Sequence, residues 1–194
     1  MKKILTLFLL FISINCLAQD SLQTLNFERN YIKNTGMQVL GSWAIANIAV
    51  DGICWASTNG KTKYFHQMNA IWNVANLGAA ILGYTDTIND KNKTYPPEES
   101  LKEQNKLEKI FLVNGGLDVI YIGAGIYLNH RGNMNNSDQC RGYGSAVILQ
   151  GAFLLLFDAT MYTSERRIGN KLRKFLIKNP ITFDGQKVGM VINF

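Results

Sequence analysis

Apolar residues gather into four stretches, at 36–55, 67–84, 110–128 and 143–162, and most charged residues lie between or beyond them. About twenty mostly apolar residues suffice to cross a bilayer as a helix. Each stretch also carries amides or carboxylates at helical spacing. Such groups are expensive in hydrocarbon and turn inward toward partners. The pattern predicts an all-α fold, an integral membrane four-helix bundle over 36–163 with a polar interior.

The flanks follow the same logic. Residues 19–35 are polar, with Leu22, Leu25, Tyr31 and Ile32 spaced for one helical face that leads into the first stretch. Asn59-Gly60 marks a tight turn. The long connection 85–109 is charged on both signs, and Pro96-Pro97-Glu98-Glu99 has the form of a helix start that runs on into the third stretch. The tail 164–194 is basic, and Ile168, Leu172, Phe175 and Leu176 share one face, which predicts a short amphipathic helix lying at the membrane surface. A β-barrel needs period-two alternation. The run 151–157 does not alternate, and the polar residues fall at steps of three and four, although the chain ends in Phe194 after β-type residues.

Residues 1–18 have the form of a secretory signal peptide. Lys2 and Lys3 precede an apolar run, and the small Cys16 and Ala18 stand at a cleavage site. This implies bacterial export to the inner (cell) membrane, with a multi-pass chain following. The resulting topology conflicts with the charge count. With residue 20 outside the cytoplasm, four crossings place fourteen Lys and Arg outside and four inside. The positive-inside rule asks for the reverse.

The polar residues inside the stretches are the candidate chemistry. Trp43-Ala-Ile-Ala-Asn47 recurs as Trp72-Asn-Val-Ala-Asn76. In each copy Trp and Asn share a face, so the repeat reads as a paired polar site or as helix–helix glue. Asn47 and Asp51 form one Asn-x3-Asp pair, Asn114 and Asp118 another, and Asp158 closes the fourth stretch. Three carboxylates facing one interior would hold a cation or relay protons. His66, Asn69, Asn73 and Asn76 form one stripe along the second stretch, and Gln150 is the amide the fourth offers its neighbours. The leading expectation is binding or permeation of a small polar ligand or cation through this Asn/Asp-lined interior. A membrane scaffold without chemistry of its own is the second. An intramembrane enzyme using His66 as acid or base is the third and weakest, since no nucleophile or metal set accompanies it.

The composition is 47% hydrophobic and 18% charged, with net charge +6. The basic residues cluster near membrane ends, where they meet lipid headgroups, so the charge points away from nucleic acid. No catalytic, nucleotide, cofactor or metal signature occurs. Cys54 and Cys140 could pair only on an oxidising side of the membrane. The partners expected are the lipid bilayer, a small polar ligand or cation, and further copies of the chain.

At Tyr64-Phe65-His66-Gln67-Met68-Asn69, Trp72-Asn73, Gly116-Leu117-Asp118-Val119, Gly142-Tyr143-Gly144, Gln150-Gly151 and Phe157-Asp158, the chain resembles an uncharacterised family of bacterial four-span α-helical membrane proteins. The resemblance covers about 31–162. It implies the fold and a membrane location, and it carries no activity.

Overall fold

A computed structural model describes the backbone of residues 2–179 and of two short strands, with side chains over 22–179. Four long helices run in sequence: α1 (Lys2–Ser57), α2 (Gly60–Asp90), α3 (Pro97–Met134) and α4 (Asp138–Lys178). A hairpin of β1 (Ile181–Phe183) and β2 (Val188–Met190) follows, with Thr182 opposite Gly189. The side chains around the cleavage site expected at Ala18, and the terminal Phe194, lie outside what is described.

The helix boundaries follow local chemistry. Asn59 is extended and Gly60 has φ +58, a left-handed turn that glycine adopts without a Cβ clash. Pro96 is extended and Pro97 occupies the first turn of α3 with Glu98 and Glu99, where proline and acidic side chains suit the helix start. Ser137 caps α4 by accepting from the backbone N–H of Cys140.

Nothing breaks α4 after its apolar stretch ends at Tyr162. The tail expected to lie on the membrane surface is instead the continuation of α4, because its apolar face finds protein rather than lipid. Ile168 and Leu172 are buried, and Gln104 of α3 donates to the Glu165 carbonyl beside them. The connection before the third stretch likewise joins α3 as one 38-residue helix.

A helix rises about 1.5 Å per residue, so α4 is roughly 60 Å long, about twice a bilayer's hydrocarbon thickness. The surplus of α1, α3 and α4, with the end of α2, gathers at one end of the bundle as a polar cap. The other end has only short turns.

Polarity runs opposite to that of a water-soluble bundle. Ile53, Ile71, Val74, Leu112, Val119, Ile120 and Leu156 face outward, while Asn69, Asn73, Gln150, Asp118 and Asp158 are buried. Three helices, α1, α3 and α4, are long and apolar enough to cross a membrane. In α2 the apolar stretch is diluted by His66, Gln67, Asn69, Asn73 and Asn76.

α4 is the central element. It packs against α3, α2 and α1, while α2 and α3 scarcely touch each other. Glycines allow the closest approaches. A Cβ on Gly144 would stand 2.5 Å from the Asn129 backbone nitrogen and 2.6 Å from the Gly125 carbonyl, whereas one on Gly123 would meet nothing within 4 Å. Gly144→Ala should therefore lower the melting temperature of the detergent-purified protein, with overpacking of about 1–3 kcal/mol. Gly123→Ala should be neutral or stabilising by up to about 1 kcal/mol, since alanine is the better helix former. Equal effects from the two would show that the α3–α4 contact is not the constraint.

Candidate functional site

The ten polar residues that the sequence singles out separate into three groups along the bundle. Nearest the short turns, His66 Nδ1 lies 2.5 Å from Asp51 Oδ1. The pair ties α2 to α1. The Phe65 ring meets the imidazole edge-on at 5.3 Å. One residue on, Tyr143 donates to Gln67 Oε1 at 2.9 Å and ties α4 to α2. Asp51 therefore does not join the other two carboxylates: Asp158 lies about 22 Å further along α4 from Tyr143 at the helical rise. Cys54 and Cys140, near the same turns, are both free thiols.

The second group is a chain of amides at the meeting of α1, α2 and α4. Trp43 Nε1 donates to Gln150 Oε1 at 3.1 Å, and Gln150 Nε2 donates to Asn69 Oδ1 at 3.0 Å. Asn73 Nδ2 donates to the Asn69 carbonyl at 2.9 Å, and Asn76 Nδ2 to Asn73 Oδ1 at 3.3 Å. None of these groups is left as a buried orphan. The Trp-Asn repeat does not build one paired site. Trp43 stacks on Phe153 of α4 at 3.9 Å, whereas Trp72 meets Tyr121 of α3 at 5.0 Å. Asn47 turns back onto its own helix, donating to the Trp43 carbonyl at 2.7 Å.

The third group faces a cavity. Where α2 and α3 stand apart, a groove of about 690 Å³ runs between them, floored by α4. Asp118, Asp158, Asn114 and Asn76 line it among apolar residues. The Trp72–Tyr121 ring contact bridges α2 and α3 at one end. Lys33 and Asp86, an ion pair between α1 and α2, stand at the other with Glu103 and Lys106. The Asp118 and Asp158 carboxyls are neighbours in this wall, with Asn114 beside Asp158. Asp118 is only 2% exposed, yet its Oδ2 has no hydrogen-bond partner. Among the described residues no cluster of three or more His, Cys, Asp or Glu is arranged to hold a metal ion.

A family of unknown function, DUF6992, matches residues 39–159. The chain belongs to this family. No curated protein and no solved structure matches the chain. The DUF6992 segment contains all ten polar residues, including the amide chain and the groove carboxyls.

Sequence reasoning missed the polar cap, which draws partly on residues outside the DUF6992 segment. Arg29 of α1 is buried, donates to the Ser100 carbonyl at 3.0 Å, and lies over the Tyr95 ring at 5.1 Å. Asn30 donates to the Thr87 carbonyl at 2.9 Å. Glu108 of α3 receives Arg166 and Arg173 of α4, each at 2.8 Å. Burial alone would raise its carboxyl, but the two guanidiniums outweigh that and hold it below the usual range. Glu165, just beyond the apolar stretch of α4, is fully buried and accepts from Gln104 Nε2 at 3.2 Å. Burial pushes it up to about 7, against the Gln104 hydrogen bond and the charge of Arg29.

Two predictions follow from these groups. Gln150→Leu strands the Trp43 N–H and the Asn69 oxygen, and should cost about 1–3 kcal/mol per stranded group. Asn47→Ala, which removes only a bond within one helix, should cost far less; chemical denaturation in mixed micelles compares them. Glu165 binds its proton more tightly folded than unfolded. Its contribution is full below the ordinary glutamate range and is lost as pH rises through about 7. The melting temperature should fall as pH rises from the ordinary glutamate range to about 7 and level off above it, and Glu165→Gln should flatten that slope. A flat wild-type profile over this range would refute the assignment.

Proposed function

We propose that this is a multi-pass protein of the bacterial inner membrane, crossed by all four helices, that binds a small ligand carrying a positive charge or a hydrogen-bond donor. The bilayer is its first partner. The apolar exterior and buried amides support that placement, because lipid rewards outward apolar side chains and inward polar ones. α2 would cross with the others because its polar stripe turns onto α4 and α1.

The observation that carries the binding reading is that two carboxyls, Asp118 and Asp158, line one groove with no Lys or Arg paired to either among the described residues. A buried acceptor left unpaired costs about 1–3 kcal/mol. Asp118 Oδ2 has no partner, and the groove that this residue lines beside a second carboxyl is large enough for a ligand. Asp118 would receive the ligand's donor, Asp158 would share the proton or the charge, and Asn114 and Asn76 would supply further polar contacts. Binding is favoured over permeation because the Trp72–Tyr121 contact closes one end of the groove.

The scaffold reading keeps a specific support in the amide chain. Asn69, Asn73 and Gln150 are fully engaged with one another and with Trp43, so their part is to hold helices together. His66 is paired with Asp51 away from the groove carboxyls, and among the described residues no hydrogen bond joins it to a serine, threonine or cysteine side chain, which weighs against the enzyme reading.

Dicyclohexylcarbodiimide, an apolar reagent selective for protonated carboxyls in apolar surroundings, tests the site. In membranes it should form an adduct on Asp118 or Asp158, found by peptide mass spectrometry. The Asp118→Asn, Asp158→Asn double variant should show none there. A folded wild-type protein that acquires no adduct at either position would mean the carboxyls are sealed, and the binding reading would fall.

A further inference from the structure

We infer that the ligand is a lipophilic amine, an apolar body with a single protonated nitrogen, that enters the groove sideways from the hydrocarbon between α2 and α3. This names the ligand class of the site proposed above and rests on that reading.

Size argues first. A groove of about 690 Å³ falls within the roughly 300–1,000 Å³ of drug-sized ligand sites. A bare inorganic cation needs a compact shell of six or more oxygens. Here Asp118, Asp158, Asn114 and Asn76 form one patch, the charges of Lys33, Asp86, Glu103 and Lys106 stand at the capped end, and the wall is otherwise largely apolar, with Ala79, Leu82, Ile110, Leu117, Phe111 and Phe157. Such a wall rewards an apolar body and offers nothing to a hydration shell.

The polar patch then sets the head group. A buried ammonium is tolerable only if paired and hydrogen-bonded. Asp118 and Asp158, both lining the groove, supply the negative charge and the acceptors. Trp72 and Tyr121 at the closed end present aromatic rings, which attract a desolvated cation. One nitrogen suits one such patch.

Entry follows from the packing. α2 and α3 are consecutive in sequence yet stand apart, and the lips of the gap are apolar: Leu82 is 73% exposed, with Ile110 and Leu117 also exposed. At the capped end the route is lined by Lys33, Asp86, Glu103 and Lys106, charges of both signs that disfavour an apolar body. The side facing lipid is the low-cost path.

The probe is N,N-dimethyldodecylamine, protonated near neutral pH and unable to form an amide, with the full chain in phosphatidylcholine nanodiscs. At about ten times its Kd the amine should slow carbodiimide labelling of Asp118 and Asp158 roughly tenfold, by mass action. It should also raise the melting temperature. Dodecanol and sodium chloride should do neither. The amine effect should vanish in Ala79→Trp, which fills the groove without touching the carboxyls, and the melting shift should vanish in Asp118→Asn. Protection by dodecanol equal to that by the amine would overturn the inference, since charge would then be irrelevant. Protection by sodium chloride alone would assign the site to an inorganic cation. Normal labelling with no protection, or full protection in Ala79→Trp, would also overturn it while leaving the reactive site in place. Absence of any labelling would instead remove the underlying site.

Discussion

Gln150 has no exposed surface, and it stands where α1, α2 and α4 meet. Its carbonyl takes the Trp43 N–H and its amide gives to Asn69, so one side chain sets the spacing of three helices. α2 lacks the long apolar window that the other three helices have, and its amides need partners inside the bundle. With α2 drawn to α4 and α1, and α3 lying along α4 through glycine contacts, no surface remains for α2 and α3 to share. The groove between them is thus a consequence of how the other contacts are satisfied. Its existence depends on a hydrogen bond made two turns away from the carboxyls that line it.

Hydrophobic periodicity was enough to find four helices, the start of α3 at Pro97, and the inward direction of Asn69, Asn73, Asn76, Asp118 and Gln150. It could not say what each inward residue would face. Spacing places two side chains on one face of a helix, but the partner across the gap depends on which helices become neighbours. The two Trp-Asn copies look alike in sequence and still turn to different helices, Trp43 to α4 and Trp72 to α3. Asp51 and Asp118 share a motif yet lie at different depths, one paired with His66 and the other beside Asp158. For the same reason glue and site were indistinguishable until the hydrogen bonds could be followed.

The cap was legible in part. In α4, Asp158, Met161, Glu165, Ile168 and Leu172 follow one another at steps of three and four, and all are buried. A glutamate on that stripe signals a buried carboxyl. In α3, Gln104, Leu107, Glu108 and Phe111 repeat the pattern. What hid the signal was the surrounding charge. Arg166, Arg167, Lys171, Arg173 and Lys174 make the tail look like a surface-binding helix, although Arg166 and Arg173 are engaged by Glu108.

Cap and groove handle buried carboxyls in contrasting ways. In the cap, Glu108 is answered by two guanidiniums at 2.8 Å, and Glu165 is met by Gln104 with Arg29 nearby. In the groove no Lys or Arg among the described residues is paired with Asp118 or Asp158, and Asp118 Oδ2 has no hydrogen-bond partner. Among the described residues five other buried polar atoms also lack a partner, Glu165 Oε1 and Gln104 Oε1 of the cap among them, so what sets Asp118 apart is the cavity its residue lines together with Asp158. An asparagine at 118 would lend its neighbour a donor and remove the charge. Sequences that specify a fold break local rules chiefly at sites of function. The unanswered carboxyl therefore belongs with the cavity beside it, as the place where a partner from outside the chain completes the hydrogen bonding.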